Sequence, residues 1–163
     1  MGSVPLVILA REYWTDASAF SAQRGQHSWL IWRISTDSGP IVAPTMSGVR
    51  RATPNYGEPL VLEVIKGAKS AFAFGITIGR TDNNDVVVRD EQVSRFHAYF
   101  QATPSGLALV DAESKNGTWV DGARLVPKRP MLLKGRSQIS LGSLDLEYFD
   151  GPALCAHLGN PVP

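Results

Sequence analysis

Between residues 59 and 150 the chain is written in short apolar or alternating runs, at 60–65, 72–78, 86–88, 97–102, 107–110, 118–120, 131–133, 138–141 and 144–149. Turn chemistry separates them roughly every eight to twelve residues, the spacing of a protein built from strands. In the last run Leu144, Leu146 and Tyr148 alternate with Asp145, Glu147 and Phe149, the period of a strand with one buried face. Two such faces packed together make a β-sandwich. Turn signals lie between the runs, at 81–85 (TDNND), 104–106 (PSG), 115–117 (KNG), 121–122 (DG) and 134–135 (KG). Asn-Gly and Asp-Gly tolerate the positive φ angles of tight hairpins. No amphipathic helix of ten or more residues is predicted among these runs, so the fold class is all-β.

The first part of the chain differs. PLVILA (5–10) and SWLIWRI (28–34) are apolar runs suited to short buried or edge strands, and Asp16 is placed to cap a short helix between them. From Ser35 to Pro59, thirteen of twenty-five residues are Pro, Gly, Ser or Thr, the composition of a linker. The division read from the sequence is therefore an N-terminal extension of mixed or irregular structure at 1–34, a linker at 35–58, a β-domain at 59–150 and a C-terminal tail at 151–163. The extension carries Trp14, Trp29 and Trp32. It is too small to stand alone and is expected to pack on the β-domain or on a partner.

Composition narrows the function. With 163 residues, 44% of them apolar and 19% charged, the chain is an ordinary globular domain with an added piece. A net charge of +1 provides no overall field to hold nucleic acid or an acidic membrane, so neither is expected as a partner, and anion recognition must be local. The single Cys155 cannot form an internal disulfide, and His27, His97 and His157 lack metal-ligand spacing, so no metal and no cofactor is expected. The apolar run at 4–10 is far too short to insert in a membrane. Leu6 stands where a myristoylation motif wants Ser or Thr. Cytoplasmic residence is the expectation.

Three segments concentrate unusual polar residues: GRT at 79–81, VSRFH at 93–97 and SKNGT at 114–118. Loops at one end of a sandwich cluster, so the three are expected to converge. Together they present Arg80, Arg95 and Lys115 with the Ser94 hydroxyl and the Asn116 amide. A phosphorylated side chain carries about −1.5 to −2 charge and three acceptor oxygens, which such a donor set matches.

GR followed by NND and VVV, then VSRFHA, then D-x-x-SKNGTWVDG, then LLKGRSQISLG, all in order over about 59–150, resembles the forkhead-associated (FHA) domain. The resemblance implies a sandwich of about eleven strands in two twisted sheets that reads phosphothreonine in partner proteins marked by a Ser/Thr protein kinase. It implies no catalysis. Carried over by position, Arg80 resembles the family arginine that contacts phosphate or adjacent peptide backbone, and Ser94 the serine whose hydroxyl bonds a phosphate oxygen. Arg95 falls where a second phosphate contact is often added. Asn116 resembles the asparagine that bonds the ligand main chain. Lys115 departs from the small polar residue often found at its position, and its ammonium is a further candidate for phosphate. Gly79, His97, Gly117 and Thr118 resemble framework positions that shape the loops, with His97 a loop brace.

Other readings compete. Arg80 and Arg95 could be surface arginines paired with Asp82, Asp85, Asp90 or Glu91. Ser94 and His97 invite a nucleophile–base pairing, but three-residue spacing on an extended strand sends them to opposite faces, and no Gly-x-Ser-x-Gly elbow is present. GAKS at 67–70 lacks the spacing of a nucleotide loop, and Asn116-Gly117-Thr118 reads as a tight turn before it reads as a glycosylation site. A phosphate-independent scaffold or oligomerisation unit is the alternative function, with Thr36, Thr45 and Thr53 of the linker as candidate internal targets of the site.

Overall fold

The computed structural model describes residues 4–32, 59–67, 72–73 and 75–159. The linker, with Thr36, Thr45 and Thr53, lies outside them. In chain order the elements are β1 (Val4–Pro5), α1 (Leu6–Thr15), α2 (Ala17–Arg24), β2 (Ser28–Trp32), β3 (Leu60–Val64), β4 (Ile76–Gly79), β5 (Val86–Val87) and β6 (Ala98–Thr103). There follow β7 (Gly106–Asp111), β8 (Thr118–Val120), β9 (Ala123–Arg124), β10 (Met131–Leu132), β11 (Arg136–Leu141), β12 (Leu144–Asp150) and α3 (Gly151–Gly159). The strands form two sheets, one ordered β1-β3-β2-β12-β11-β8-β9 and the other β10-β7-β6-β4-β5. The pairings are antiparallel except that of β4 with β5. This is the β-sandwich that the alternating runs predict.

The core between the sheets follows the two-residue period. Leu30, Leu62, Ile78, Phe100, Leu109, Ile139, Leu141, Leu146 and Tyr148 meet there, and burying each large apolar side chain contributes about 1.5–3 kcal/mol. A second apolar cluster lies on the outer face of the larger sheet, where Trp29, Ile31, Val61 and Phe149 are covered by Leu9 and Ala10 of α1, Phe20 of α2 and Leu154 and Leu158 of α3. Phe149, on the face opposite Leu146 and Tyr148, is therefore buried as they are. The molecule is a sandwich with a helical layer over one sheet.

That layer corrects one expectation. PLVILA is not a strand: only Val4 and Pro5 pair, with Val61 and Leu60, and the chain turns helical from Leu6. Leu6, Leu9, Ala10 and Tyr13 recur at helical spacing and face the second cluster, while Val7 and Ile8 between them stay exposed. A continuous apolar run serves a buried strand or a helix equally well, and here the helical period of the following residues decides. Asp16 caps α2, its Oδ1 accepting the Ala19 N–H at 2.8 Å. Strand β2, from the segment read as an extension, lies between β3 and β12, with Leu30 opposite both Leu62 and Tyr148. The segment read as a C-terminal tail begins with α3, whose first turn is capped by Asp150, Oδ1 accepting the Ala153 N–H at 2.8 Å.

Candidate functional site

Three connections meet at one end of the sandwich: the loop leaving β4 at Gly79, the turn before β6, and the segment joining β7 to β8. They surround a cleft of about 750 Å³ lined by Arg80, Thr81, Asn83, Glu91, Gln92, Val93, Ser94, Arg95, Phe96, Glu113, Lys115 and Asn116. All five residues singled out for anion recognition line this one space.

Its walls are held by close backbone approaches. A Cβ on Gly79 would stand 2.3 Å from the Arg95 carbonyl oxygen and 2.8 Å from the Asn84 amide nitrogen, so only glycine lets the first loop touch the second. Beside it the Arg80 N–H donates to the Ser94 carbonyl at 3.1 Å. Buried Asn84 completes the joint, its Nδ2 donating to the carbonyls of Thr81 at 2.9 Å and Arg95 at 2.6 Å.

His97, wholly buried, ties the second loop to the third. Its Nδ1 accepts the Ser94 N–H at 2.9 Å, which places the ring proton on Nε2, and Nε2 donates to the Gly117 carbonyl at 3.0 Å. Burial pushes the imidazole below its ordinary pKa, against the smaller opposing effects of the Gly117 hydrogen bond and the Asp111 charge. The neutral ring is the form that can accept on one side and donate on the other. Ser94 and His97 thus meet after all, contrary to the opposite-face expectation, because residues 95 and 96 bend and the strand starts only at Ala98. They meet through the Ser94 backbone, so no nucleophile–base pair forms.

The third loop is wound around buried Asp111. Oδ1 accepts the hydroxyls of Ser114 at 2.6 Å and Thr118 at 2.5 Å, and Oδ2 accepts the Ser114 N–H at 3.1 Å. The Gly117 N–H returns to the Ser114 hydroxyl at 3.0 Å, and Gly117 takes φ +88°, a region that disfavours side chains. Thr118, read as framework, is fully buried on this carboxylate. Sequence reasoning assigned roles to neither Asp111 nor Asn84. Asp111 did stand at the head of D-x-x-S, a spacing that lets a carboxylate bond the main chain and hydroxyl of a residue three positions on.

The groups facing the cleft keep their capacity for a ligand. Ser94 Oγ accepts the Lys115 N–H at 3.0 Å, which fixes the oxygen and leaves the hydroxyl proton to donate. Asn116 spends its amide donors on Gln92, reaching the carbonyl at 2.8 Å, and its Oδ1 has no partner among the described residues. The surface-arginine reading does not hold: Asp82 pairs with Arg89 at 2.5 Å and Asp85 with Lys66 at 3.1 Å. Glu113 is engaged by Lys128 at 2.9 Å. Among the described residues Arg80, Arg95 and Lys115 have no carboxylate partner. Three cations without a carboxylate partner and an available hydroxyl proton therefore line one cleft, a donor set whose chemistry suits an anion. No three His, Cys, Asp or Glu side chains gather as they would round a metal ion among the described residues.

Comparison with known proteins agrees with this architecture. The family model described as the FHA domain matches residues 76–142. The chain is 32% identical over 113 residues to the oxoglutarate dehydrogenase inhibitor of Corynebacterium diphtheriae, covering 68% of this chain and 77% of that protein. It is 38% identical over 76 residues to the ABC transporter ATP-binding/permease protein Rv1747 of Mycobacterium tuberculosis, 47% of this chain and 8% of the transporter. The chain thus spans under a tenth of that relative, and 52% of the Corynebacterium efficiens inhibitor. Among solved structures, the FHA domain of CT664 from Chlamydia trachomatis shares the fold, with TM-score 0.50 and 17% identity over 76% of this chain and 97% of that one. The chain belongs to the FHA domain family.

Proposed function

We propose that the protein is a phosphothreonine-dependent binding module that recruits partners marked by a Ser/Thr kinase, acting in the cytoplasm. The observation that carries the reading is the set of unpaired cations, Arg80, Arg95 and Lys115, around the Ser94 hydroxyl on one cleft.

Each group takes a part that its chemistry suits. The Arg80 guanidinium meets the phosphate as a planar fork of donors, and Arg95 adds a second. The Ser94 hydroxyl, oriented by the Lys115 N–H, donates to a phosphate oxygen, while the Lys115 ammonium supplies a mobile charge. Asn116, braced on Gln92, offers Oδ1 to a main-chain N–H of the bound segment, which lies extended across the loops. The methyl group that separates threonine from serine contributes roughly 0.8 kcal/mol when buried in the complex. Binding joins two proteins and transforms neither.

Calorimetric titration with a phosphothreonine peptide and its unphosphorylated twin tests the reading. Hydrogen bonds to charged groups contribute roughly 1.5–3 kcal/mol, so Arg80→Ala and Ser94→Ala each weaken binding about ten- to a hundredfold while the fold persists. Equal affinity for the two peptides would overturn the proposal and leave the scaffold reading in its place.

A further inference from the structure

Four of the seven large apolar side chains that stay exposed among the described residues stand close together at the start of the chain, Val4, Val7, Ile8 and Trp14, at 38%, 53%, 54% and 62% exposure. Scattered singly such residues need no explanation, whereas a contiguous patch marks a contact surface. Val7, Ile8 and Trp14 lie on the side of α1 turned away from the core, since Leu6, Leu9, Ala10 and Tyr13 take its inner face.

The exposed ring of Trp14 is held in place. Its Nε1 donates to the Leu158 carbonyl at 2.9 Å, which ties it to the last turn of α3. What remains in water is the apolar body of the indole, its one polar atom already satisfied. The neighbouring polar side chains are engaged within the chain as well: Glu12 accepts from Arg24 at 3.2 Å, and the Thr15 hydroxyl donates to the Arg11 carbonyl at 2.8 Å. Arg11 differs, for its exposed side chain has no hydrogen-bond or ionic partner among the described residues.

Val7, Arg11 and Trp14 are spaced i, i+4, i+7 and so run along one line of the helix. Two copies of that line match when they run in opposite directions. A two-fold axis across an antiparallel helix pair sets each flank against the same flank of the second copy, so Val7 meets Trp14 of the second copy and every contact occurs twice. Side chains on a helix lean towards its N-terminus. Each Arg11 therefore leans away from its twin and over the Trp14 ring of the opposite copy, where the face of the indole attracts a guanidinium.

We propose that the outward face of α1 is the interface of a homodimer, in which a second copy of this chain packs antiparallel across Val7, Ile8, Arg11 and Trp14. The apolar surface available is roughly a few hundred Å² per copy, below the ~800 Å² per partner of a standard stable interface. The dimer is therefore weak, and its population follows concentration. No residue of α1 lines the anion cleft, so association is independent of the phosphothreonine reading and goes beyond it.

The test is sedimentation velocity of the whole chain without phosphopeptide, from micromolar to millimolar concentration, beside Val7→Asp, Arg11→Ala and, on the smaller sheet, Leu132→Asp. The expected result is a monomer–dimer equilibrium for the unaltered chain that Val7→Asp abolishes. Arg11→Ala raises the dissociation constant about five- to thirtyfold, the loss of two exposed cation–π contacts. Leu132→Asp, at an apolar residue 49% exposed in β10, leaves the equilibrium unchanged. Circular dichroism checks that each variant is folded, and Arg11→Ala, the milder change, decides the case should Val7→Asp lose the folded signal. A chain that stays monomeric at millimolar concentration overturns the proposal. A dimer that survives Val7→Asp and Arg11→Ala, or one that Leu132→Asp disrupts, also overturns it, by placing the contact elsewhere.

Discussion

The imidazole of His97 stands between Ser94 and Gly117, accepting the N–H of the first at 2.9 Å and donating to the carbonyl of the second at 3.0 Å. One buried ring therefore sets the separation of two of the three loops that line the cleft. The bridge exists only while the ring is neutral, since a protonated Nδ1 cannot accept.

The first prediction concerns pH. In the unfolded chain His97 titrates near 6.5, whereas burial lowers its value in the fold. Below pH 6.5 the unfolded state binds the extra proton first, so stability falls with pH. The contribution of His97 is complete above about pH 6.5 and is lost as pH drops towards and through the folded value. Nuclear magnetic resonance titration of the His97 ring should give a midpoint below 6.5. Thermal unfolding between pH 8 and pH 5 should show the matching decline, reduced in His97→Asn.

Gly79→Ala tests the contact between the first two loops. Its methyl group would meet the Arg95 carbonyl oxygen at 2.3 Å and the Asn84 amide nitrogen at 2.8 Å, and overpacking of this kind costs typically 1–3 kcal/mol. Urea unfolding should report that loss, and phosphopeptide affinity should fall with it because Arg80 and Arg95 are forced apart.

Asp111→Ala removes the acceptor for the Ser114 and Thr118 hydroxyls and the Ser114 N–H. Leaving a buried donor unsatisfied costs about 1–3 kcal/mol. The third loop should lose amide-exchange protection at 114–118, and phosphopeptide binding should weaken although Asp111 touches no ligand.

A fragment beginning at Pro59 carries every recognition residue yet lacks β2, whose Trp29, Leu30 and Ile31 are almost completely buried. Without that strand β3 and β12 lose their shared neighbour, and the missing burial is on the order of a domain's whole stability, about 5–15 kcal/mol. The fragment should show no cooperative unfolding transition, whereas the chain from residue 4 onward should.

Patterning alone determined much of this protein. Short apolar runs bounded by turn chemistry located the strands at 60–64, 118–120 and 144–150 closely, because a strand that faces a core needs apolar side chains and turn residues interrupt it. Local chemistry also marked the residues that line the cleft: Arg80, Ser94, Arg95, Lys115 and Asn116 stand in three loop segments rich in cations, hydroxyls and amides. What the pattern left open was set by contacts distant in sequence. The run from Pro5 to Ala10 satisfies a helix and a strand alike, and only docking beneath the outer face of β2 and β12 selects the helix. Phe149 looked like the polar-side member of its strand until α3 closed over it. Asp111 and Asn84 are polar residues of ordinary appearance, and their roles come from burial against loops up to eleven residues away. Burial is a property of the assembled chain, so the groups whose function depends on being buried were those that only the tertiary structure could assign.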